Sequence, residues 1–308
     1  MDEFDLIQTY FVREGEASGV ETGIGDDGAV LQPDPGREII AVMDTLVQGV
    51  HFPDETDPFD VAYRAVAVNL SDVAAMGGRP RWMTLALTLP AADKEWLHRF
   101  AEGLHAAAGE YDVTLVGGDT TMGKSLVVTI QIVADVEIGR AVKRSNAQVG
   151  DNIYVTGTLG DAAAGLELIS AGSPNPYLSA RFLRPEARVD YGQLLAGSAS
   201  AAIDISDGLF ADLAKLLTAS NVGGILELES LPVSEALQQH YDIEAQRRFA
   251  LSGGDDYELC FTANPDTDLP NTDIRVTRIG TVVAGGELLC HLNGELVPYS
   301  DSGYRHFE

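Results

Sequence analysis

The chain has 308 residues, and its 47 Asp and Glu residues outnumber its 20 Lys and Arg residues, which gives a formal net charge of −27 at pH 7. A surface this negative repels phosphate backbones and anionic lipid, and this counts against binding to nucleic acid or to a membrane surface. Hydrophobic residues make up 45% of the chain, which is enough for a core and excludes a disordered acidic chain. The length fits about two domains, and one large domain is also possible.

The hydrophobic pattern of the first half predicts a mixture of helices and strands. In chain order these are a helix at 4–12, a Gly/Asp loop at 23–28, a buried strand at 38–43 that ends at Asp44, a helix at 59–76, a strand at 82–89, a helix at 93–110, and strands at about 113–116 and 126–134. The helix at 59–76 is apolar almost all round, so we expect it to be buried on most faces.

A polar stretch at about 137–151 divides the chain, and a second mixture of elements follows it. In chain order these are a strand at 152–157, a helix at 160–171, a Ser/Pro/Asn-rich loop at 172–180, a helix at 187–197, a strand at 201–205, a helix at 208–219, and strands at 224–229, near 257–263 and near 276–283. Many strands with long helices in each half predict an α/β fold.

The N-terminus and the cysteines bear on where the protein works. Residues 1–5 contain no basic or apolar run, so we expect no signal peptide, and no apolar stretch approaches the roughly 20 residues that span a bilayer. Cys260 and Cys290 lie in apolar, strand-like segments and are expected to be buried structural thiols. These features predict a cytoplasmic protein.

Many of the Asp residues follow an apolar strand or helix or lie in a Gly-rich turn. They are Asp26, Asp27, Asp44, Asp72, Asp119, Asp204, Asp207, Asp255 and Asp256. Asp72 is the most informative, because it lies within the buried helix and a bare buried carboxylate is costly unless a cation neutralises it. Carboxylates suit Mg²⁺ or Mn²⁺, and neighbouring glycines let backbone N–H groups approach phosphate. Turn chemistry explains any one Asp–Gly pair, but five such sites favour a phosphate–metal site.

Residues 118–125, GDTTMGKS, match the Walker A pattern letter for letter. A P-loop needs a helix that begins at the Lys, whereas residues 126–133 are rich in β-branched side chains and predict a strand. Asp119 would also place a carboxylate where the phosphates bind. We therefore expect a tight turn between two strands, and not a P-loop.

Six motifs of this chain are similar, in the same order, to those of thiamine-monophosphate kinases. They are GIGDDGAV (23–30), MDTLVQGVHF (43–52), AVNLSDVAAMGGRP (67–80), LVGGDTT (115–121), DISDGL (204–209) and LSGGDDYELCFT (251–262). The resemblance covers nearly the whole chain. The family belongs to an ATP-binding superfamily that also contains aminoimidazole ribonucleotide synthetase, selenophosphate synthetase and a hydrogenase maturation factor.

The resemblance implies a two-domain α/β fold and a homodimer. Residues 1–137 would form an N-terminal domain that binds ATP and Mg²⁺ and dimerises through its sheet, and residues 138–308 a C-terminal α/β domain that completes the active site. The implied reaction is a direct in-line transfer of the γ-phosphoryl group of ATP to thiamine monophosphate, which gives thiamine diphosphate without a phosphoenzyme. No general base is assigned, because the accepting phosphate oxygen is already ionised.

The resemblance also assigns residues by motif matching. Several Mg²⁺ ions would be held by Asp27, Asp44, Asp72, Asp119 and Asp204, with a further ion on Asp207. ATP would contact Gly118, Asp119, Arg144 and Ser206. The thiamine phosphate would border His51, Asp255 and Tyr304. Since an acidic protein binds a polyphosphate here, metal ions must stand between protein and phosphate.

Two positions depart from the family pattern. Met43 stands where Ser or Thr usually precedes the Asp, and a thioether is a poor Mg²⁺ ligand. Asp255 stands where the family commonly has Glu, and its shorter side chain makes a water-mediated substrate contact the expectation.

Other classes remain as alternatives. A selenophosphate synthetase would need a reactive Cys near its N-terminus, whereas the first Cys here is Cys260, and the hydrogenase factor would end in Cys, whereas this chain ends in Glu308. Aminoimidazole ribonucleotide synthetase is harder to exclude, although the contexts of the last two motifs count against it. A non-enzymatic acidic protein that only sequesters Mg²⁺ or nucleotide would not need acidic residues at every metal position.

Overall fold

The computed structural model describes residues 3–12, 18–300 and 303. The chain divides into two compact units. The N-terminal unit comprises Met1–Val73 and Gly78–Gly139, and the C-terminal unit comprises Ala74–Gly77 and Arg140–Glu308. Each unit has its own sheet and helices, and each is described separately.

The N-terminal unit is built on a four-stranded sheet. In chain order its elements are α1 (Glu3–Tyr10), β1 (Val20–Thr22), β2 (Val30–Leu31), β3 (Arg37–Val47), α2 (Pro58–Ala75), β4 (Arg79–Leu89), α3 (Lys94–Glu110), β5 (Thr114–Met122) and β6 (Val127–Glu137). The sheet order is β3-β6-β4-β5, with β4 and β5 parallel and the other neighbours antiparallel. Strands β1 and β2 form a separate antiparallel pair.

The two long helices of this unit confirm the sequence prediction. Helix α2 is buried on most faces, and α3 places Leu97, Phe100 and Leu104 in the core at helical spacing. Asp93 caps α3, because its side chain accepts the N–H of Trp96.

Two strand predictions in this unit are wrong in extent. Strand β3 continues to Val47, so Asp44 lies inside a strand and not at its end. It is also not a buried strand: Ile39 is 48% and Met43 63% exposed, because one face of the sheet is open. Strand β5 runs to Met122, four residues beyond Gly118, so that Asp119 also lies within a strand.

The C-terminal unit is built on a larger sheet. In chain order its elements are β7 (Asn152–Thr156), α4 (Asp161–Ser170), α5 (Pro176–Leu183), α6 (Val189–Leu195), β8 (Ala201–Asp204), α7 (Leu209–Ser220), β9 (Gly223–Glu227), α8 (Glu235–His240), α9 (Ile243–Ser252), β10 (Leu259–Ala263), β11 (Val276–Val283), β12 (Leu288–Leu292) and β13 (Glu295–Val297). These seven strands form one sheet of order β13-β12-β9-β11-β7-β10-β8. Among the described strands of this sheet, β9 and β12 pair in parallel and the other neighbours are antiparallel. Ile153, Val155 and Ile203 of the sheet share a core with Leu213 and Leu216 of α7.

Several elements of this unit differ from the prediction. Residues 172–180 were expected to be a loop, but α5 begins at Pro176, because Asn175 accepts the N–H groups of Tyr177 and Leu178 and proline fits the first helical turn. Helices α8 and α9 and strands β12 and β13 were not predicted. Helix α8 and strand β13, with 6 and 3 residues, are too short for a hydrophobic period to stand out.

The structure confirms two negative expectations and the placement of the thiols. Cys260 and Cys290 are buried and unbonded, and burial raises the pKa of both, that of Cys290 to about 11. No helix begins at Lys124, because the chain turns directly into β6. Among the helices of the described residues, none is long and apolar enough to span a bilayer.

Candidate functional site

Asp27 and Asp119 are exposed carboxylates of the N-terminal unit. Asp27 lies in the turn between β1 and β2, where its N–H donates to Oδ1 of Asp26 at 2.8 Å. Asp119 lies on β5 opposite Ala86 of β4. Both side chains are placed where a solvated cation can reach them.

Asp44 and Asp72 are half-buried and lie on β3 and α2. The N–H of Asp44 donates to Oδ1 of Asn69 at 3.0 Å, and Asn69 donates through Nδ2 to the carbonyl of Ala65 at 2.9 Å. Asn69 is fully buried and precedes Asp72 by about one helical turn, so it ties the strand that carries Asp44 to the helix that carries Asp72. Sequence reasoning missed Asn69, although a lone Asn in an apolar helix was a usable signal.

Gly118 allows two strands to approach closely. A Cβ atom at this position would lie 1.9 Å from the carbonyl oxygen of Leu85 in the neighbouring strand β4. Only glycine fits there. Lys124 and Ser125, which complete the Walker-like pattern, are exposed in the turn before β6, so this segment lacks the helix N-terminus of a P-loop.

His51 is half-buried in the turn that follows β3. Its Nδ1 accepts the backbone N–H of Val47 at 3.0 Å, and the backbone N–H of His51 donates to the carbonyl of Val47 at 2.9 Å. Because Nδ1 is an acceptor, the neutral ring carries its proton on Nε2. Nε2 is therefore the donor atom of the neutral ring.

In the C-terminal unit, residues 204–209 form the DISDGL turn between β8 and α7. Asp204 ends β8 and is only 4% exposed, whereas Ser206 and Asp207 are half-buried. The turn is held by Asp212, which is 1% exposed and whose Oδ2 accepts the N–H groups of Ser206 at 3.0 Å and Asp207 at 2.9 Å. Burial raises the pKa of Asp212, and Lys215 offsets part of that rise. Sequence reasoning did not identify Asp212.

Lys215 connects Asp212 to Asp207, one of the two predicted metal ligands of this turn. Its Nζ donates to Oδ1 of Asp212 at 2.8 Å and to Oδ2 of Asp207 at 2.5 Å. Gly303, near the end of the chain, lies against the same turn, since a Cβ added there would be 3.1 Å from the carbonyl oxygen of Asp207. Tyr304, the next residue and a predicted substrate contact, lies outside the described residues.

Residues 253–259 form the GGDDYEL loop, which lies on the DISDGL turn. The N–H of Asp255 donates to the carbonyl of Ser206, and the N–H of Tyr257 donates to the carbonyl of Ile205, both at 2.9 Å. Asp255 is half-buried, and its Oδ1 accepts the Tyr257 hydroxyl at 3.1 Å. The structure thus brings a predicted substrate residue beside a predicted ATP residue.

The two other carboxylates of this loop point into the unit. Asp256 is fully buried and accepts the N–H groups of Gly160 at 2.7 Å and Ala162 at 3.3 Å, so it caps the start of α4. Burial raises the pKa of Asp256 well above its usual range. Asp256 is therefore a structural residue.

Glu258 is the centre of a buried ion-pair network. It accepts hydrogen bonds from Arg188 at 2.6 and 2.7 Å, from Arg181 at 2.7 Å and from the Thr156 hydroxyl at 2.7 Å. Burial by itself raises the pKa of Glu258, but Arg188 and Arg181 outweigh burial and hold the pKa below its ordinary value. The network fixes the strand end that follows the loop.

Arg144, a predicted ATP contact, has an exposed side chain. A hydrogen bond to its carbonyl fixes its backbone. Its carbonyl accepts the Ser220 hydroxyl at 2.7 Å, and the same Ser220 oxygen accepts the N–H of Ala147 at 3.0 Å. The segment that carries Arg144 is therefore tied to the end of α7.

The predicted metal ligands are all carboxylates. Oxygen donors of this kind suit Mg²⁺, so their chemistry fits the ion that the resemblance implies. Within the part of the chain that the structure describes, no three His, Cys, Asp or Glu side chains converge on a point that could hold a metal ion. Met43 is 63% exposed and brings no hard donor.

The fold and motifs first define a class. Residues 25–136 match the family model described as AIR synthase related protein, N-terminal domain, and residues 148–291 match that of the C-terminal domain. The chain is thus a two-domain, mixed α/β protein of the AIR synthase-related class.

Individual relatives narrow the class. The chain is 46% identical over 320 residues to a thiamine-monophosphate kinase of Escherichia coli (strain K12), a match that covers 99% of this chain and 98% of that protein. The crystal structure of thiamine-monophosphate kinase from Stenotrophomonas maltophilia K279a superposes with a TM-score of 0.85 at 44% identity, covering 92% and 93% of the two chains. The chain belongs to the thiamine-monophosphate kinase family.

A further structure of the family contains ligands. It is described as AaThiL complexed with AMPPCP and TMP, and it superposes with a TM-score of 0.81 at 34% identity, covering 92% of each chain.

Proposed function

We propose that this protein transfers the γ-phosphoryl group of ATP to the phosphate of thiamine monophosphate, with the assistance of Mg²⁺, to give thiamine diphosphate. The observation that carries the proposal is the end-to-end match to the Escherichia coli thiamine-monophosphate kinase. AMPPCP and TMP are bound in the AaThiL structure, and this supports the proposal that the two substrates are a nucleotide and TMP.

The Mg²⁺ ligands in this proposal belong to both units. They are Asp27, Asp44, Asp72 and Asp119 of the N-terminal unit and Asp204 and Asp207 of the C-terminal unit. Bound there, Mg²⁺ would neutralise the phosphate oxygens of donor and acceptor, which otherwise repel each other.

The remaining residues bind and orient the substrates. ATP contacts Gly118, Asp119, Arg144 and Ser206 in this proposal, and Gly118 contributes by letting β5 lie close to Leu85 of β4 at the position where Asp119 follows. The thiamine phosphate borders His51, Asp255 and Tyr304.

The chain's own contacts make two of these roles specific. The His51 ring is held through Nδ1, and this fixes the orientation in which it borders the thiamine phosphate. The Tyr257 hydroxyl orients the Asp255 carboxylate. The transfer is direct and in line, without a phosphoenzyme, and it needs no general base because the attacking phosphate oxygen is already ionised.

We further propose that the N-terminal domain, residues 1–137, binds ATP and Mg²⁺ and forms the homodimer, and that residues 138–308 complete the active site. The exposed face of β3 supports the dimer, since Ile39 is 48% and Met43 63% exposed there. Apolar side chains grouped on an open sheet face are typical of a subunit interface. The proposal places the enzyme in the cytoplasm.

The test is an assay of purified protein with ATP, Mg²⁺ and thiamine monophosphate, with the product separated by chromatography. We expect thiamine diphosphate and an equimolar amount of ADP, and neither product when thiamine replaces thiamine monophosphate. If no thiamine diphosphate is formed, the proposed function is wrong.

The metal assignment has its own test in Asp72→Asn. Removing one carboxylate from the metal ligands is expected to lower turnover by about 10²-fold and to raise the Mg²⁺ concentration for half-maximal rate. Asp112→Asn is the matched control, because Asp112 is exposed and its φ of 54° suits Asn. Unchanged turnover and unchanged Mg²⁺ dependence in Asp72→Asn would remove Asp72 from the metal ligands.

A further inference from the structure

Lys215 is one of four lysines in a chain of net charge −27, and its ammonium group lies on a predicted metal ligand. Asp212 and Lys215 lie three residues apart on α7 and therefore on one face of the helix. From this face Lys215 reaches back to Asp207 in the DISDGL turn. The position of the ammonium thus depends on both carboxylates.

Asp212 determines where the ammonium sits. One of its oxygens accepts two backbone N–H groups of the turn, and the other accepts Lys215 at 2.8 Å. Because the Asp212 side chain is only 2% exposed, it has little freedom to turn away. Lys215 is thereby held beside the Asp207 carboxylate.

The pair that Lys215 forms with Asp207 is open to exchange. The side chains are 43% and 32% exposed, so water screens the interaction and solvated ions can reach it. A divalent cation on the same carboxylate would be repelled by the ammonium at this distance. Metal and ammonium therefore compete for Asp207.

We propose that Lys215 is a competing cation at Asp207, which neutralises this carboxylate and raises the Mg²⁺ concentration at which the metal binds there. The proposal rests on the proposed role of Asp207 as a Mg²⁺ ligand. Lys215 acts on metal binding through Asp207, so it is a positioning residue and not one that touches the reacting phosphates.

The test measures the binding of Mn²⁺ alone to the full-length protein by electron paramagnetic resonance of the free ion. The site that Asp207→Asn abolishes is the Asp207 site. Lys215→Gln is expected to bind Mn²⁺ at this site about twofold to fivefold more tightly than the wild type, the size of a partly exposed ion pair. Lys215→Arg keeps the charge and is expected to restore the weaker binding.

Two further variants control the experiment. Lys124→Gln removes an equal charge from an exposed turn and is expected to leave Mn²⁺ binding unchanged. The double variant Asp212→Asn/Lys215→Gln removes the buried Asp212 carboxylate together with its cation and keeps an acceptor for the turn, so it serves if Lys215→Gln alone does not fold. It is expected to show the same tighter binding.

Unchanged or weaker Mn²⁺ binding in folded Lys215→Gln and in the folded double variant would overturn the proposal. So would a loss of turnover with unchanged Mn²⁺ binding, which would make Lys215 a phosphate contact. Tighter Mn²⁺ binding together with a wild type that forms no thiamine diphosphate would retain this inference and refute the proposed function.

Discussion

At the scale of single residues, Asp135 orders one end of the N-terminal sheet. Its side chain is fully buried and contacts Arg37 at 2.5 Å, Arg81 at 2.6 Å and Arg79 at 3.0 Å. Burial by itself raises the pKa of Asp135, but Arg79 and Arg37 outweigh burial, and the net shift is below the ordinary value. Its stabilising contribution is therefore present above the unfolded pKa and is lost as the pH falls through the folded pKa.

Asp135→Asn is predicted to lower the free energy of unfolding at pH 7 by roughly 2–4 kcal/mol, because three arginines lose their shared carboxylate. The variant should also lose less stability than the wild type between about pH 5 and pH 2. Urea denaturation over a pH series measures both effects. Asp54→Asn, at an exposed position of the same unit, is the control. Parallel pH profiles for wild type and Asp135→Asn would contradict the prediction.

The residue scale also shows where sequence reasoning ends. The motifs identified Asp255 and Asp256 as neighbours of equal interest, but Asp255 has a φ of 70°. The backbone N–H of Asp255 bonds the DISDGL turn and its carboxylate accepts the Tyr257 hydroxyl, whereas the next carboxylate lies in the interior, where Asp256 caps α4. Backbone conformation of that kind cannot be read from the letters. Asp212 was missed for a related reason, because two of its partners are backbone N–H groups of a turn.

At the scale of elements, the start of α5 depends on Asn175. Asn175→Ala is predicted to cost about 1 kcal/mol in the free energy of unfolding, because two N–H groups of the first turn lose their acceptor. Chemical denaturation monitored by circular dichroism measures it. Ser173→Ala, two residues earlier and exposed, should change the free energy by less than about 0.5 kcal/mol. Equal effects of the two substitutions would show that the cap does not stabilise α5.

The turn between β5 and β6 is predicted not to bind phosphate through Lys124. Lys124→Ala should change the KM for ATP by no more than about twofold, as expected of an exposed surface substitution. Steady-state kinetics at varied ATP measures this. Gly118→Ala is the contrasting variant, since its Cβ would lie 1.9 Å from the Leu85 carbonyl oxygen, and it should lose activity. A tenfold rise in KM for Lys124→Ala would restore the P-loop interpretation.

Long helices with many apolar residues were predictable from the sequence. The apolar patterns of α2 and α3 extend over 18 and 17 residues, and both helices were found. Helix α8 has 6 residues and β13 has 3, which is too short to establish any period. The end of β3 was misplaced because one sheet face is exposed and apolar, so that the pattern of buried and exposed residues does not mark the strand end.

At the scale of the whole molecule, net charge opposes the folded state. The six Asp residues assigned to metals would reduce the formal charge of −27 to −27 + 6 = −21, which still leaves strong self-repulsion. Raising KCl from 0.05 M to 0.5 M is therefore predicted to raise Tm by about 2–4 °C, by screening. Differential scanning calorimetry measures the shift. A Tm that is constant or falls over this range would show that surface repulsion does not limit stability.

The central claim at this scale is that the reaction requires Mg²⁺. Because the chain is this acidic, we expect it to bind a polyphosphate only with cations between protein and phosphate. The most direct measurement uses ATP radiolabelled at the γ-phosphorus, thiamine monophosphate and purified protein, with and without Mg²⁺. The account predicts that label appears in thiamine diphosphate only when Mg²⁺ is present, with no labelled protein. Labelled thiamine diphosphate in the absence of any divalent cation, or labelled protein in place of product, would contradict it.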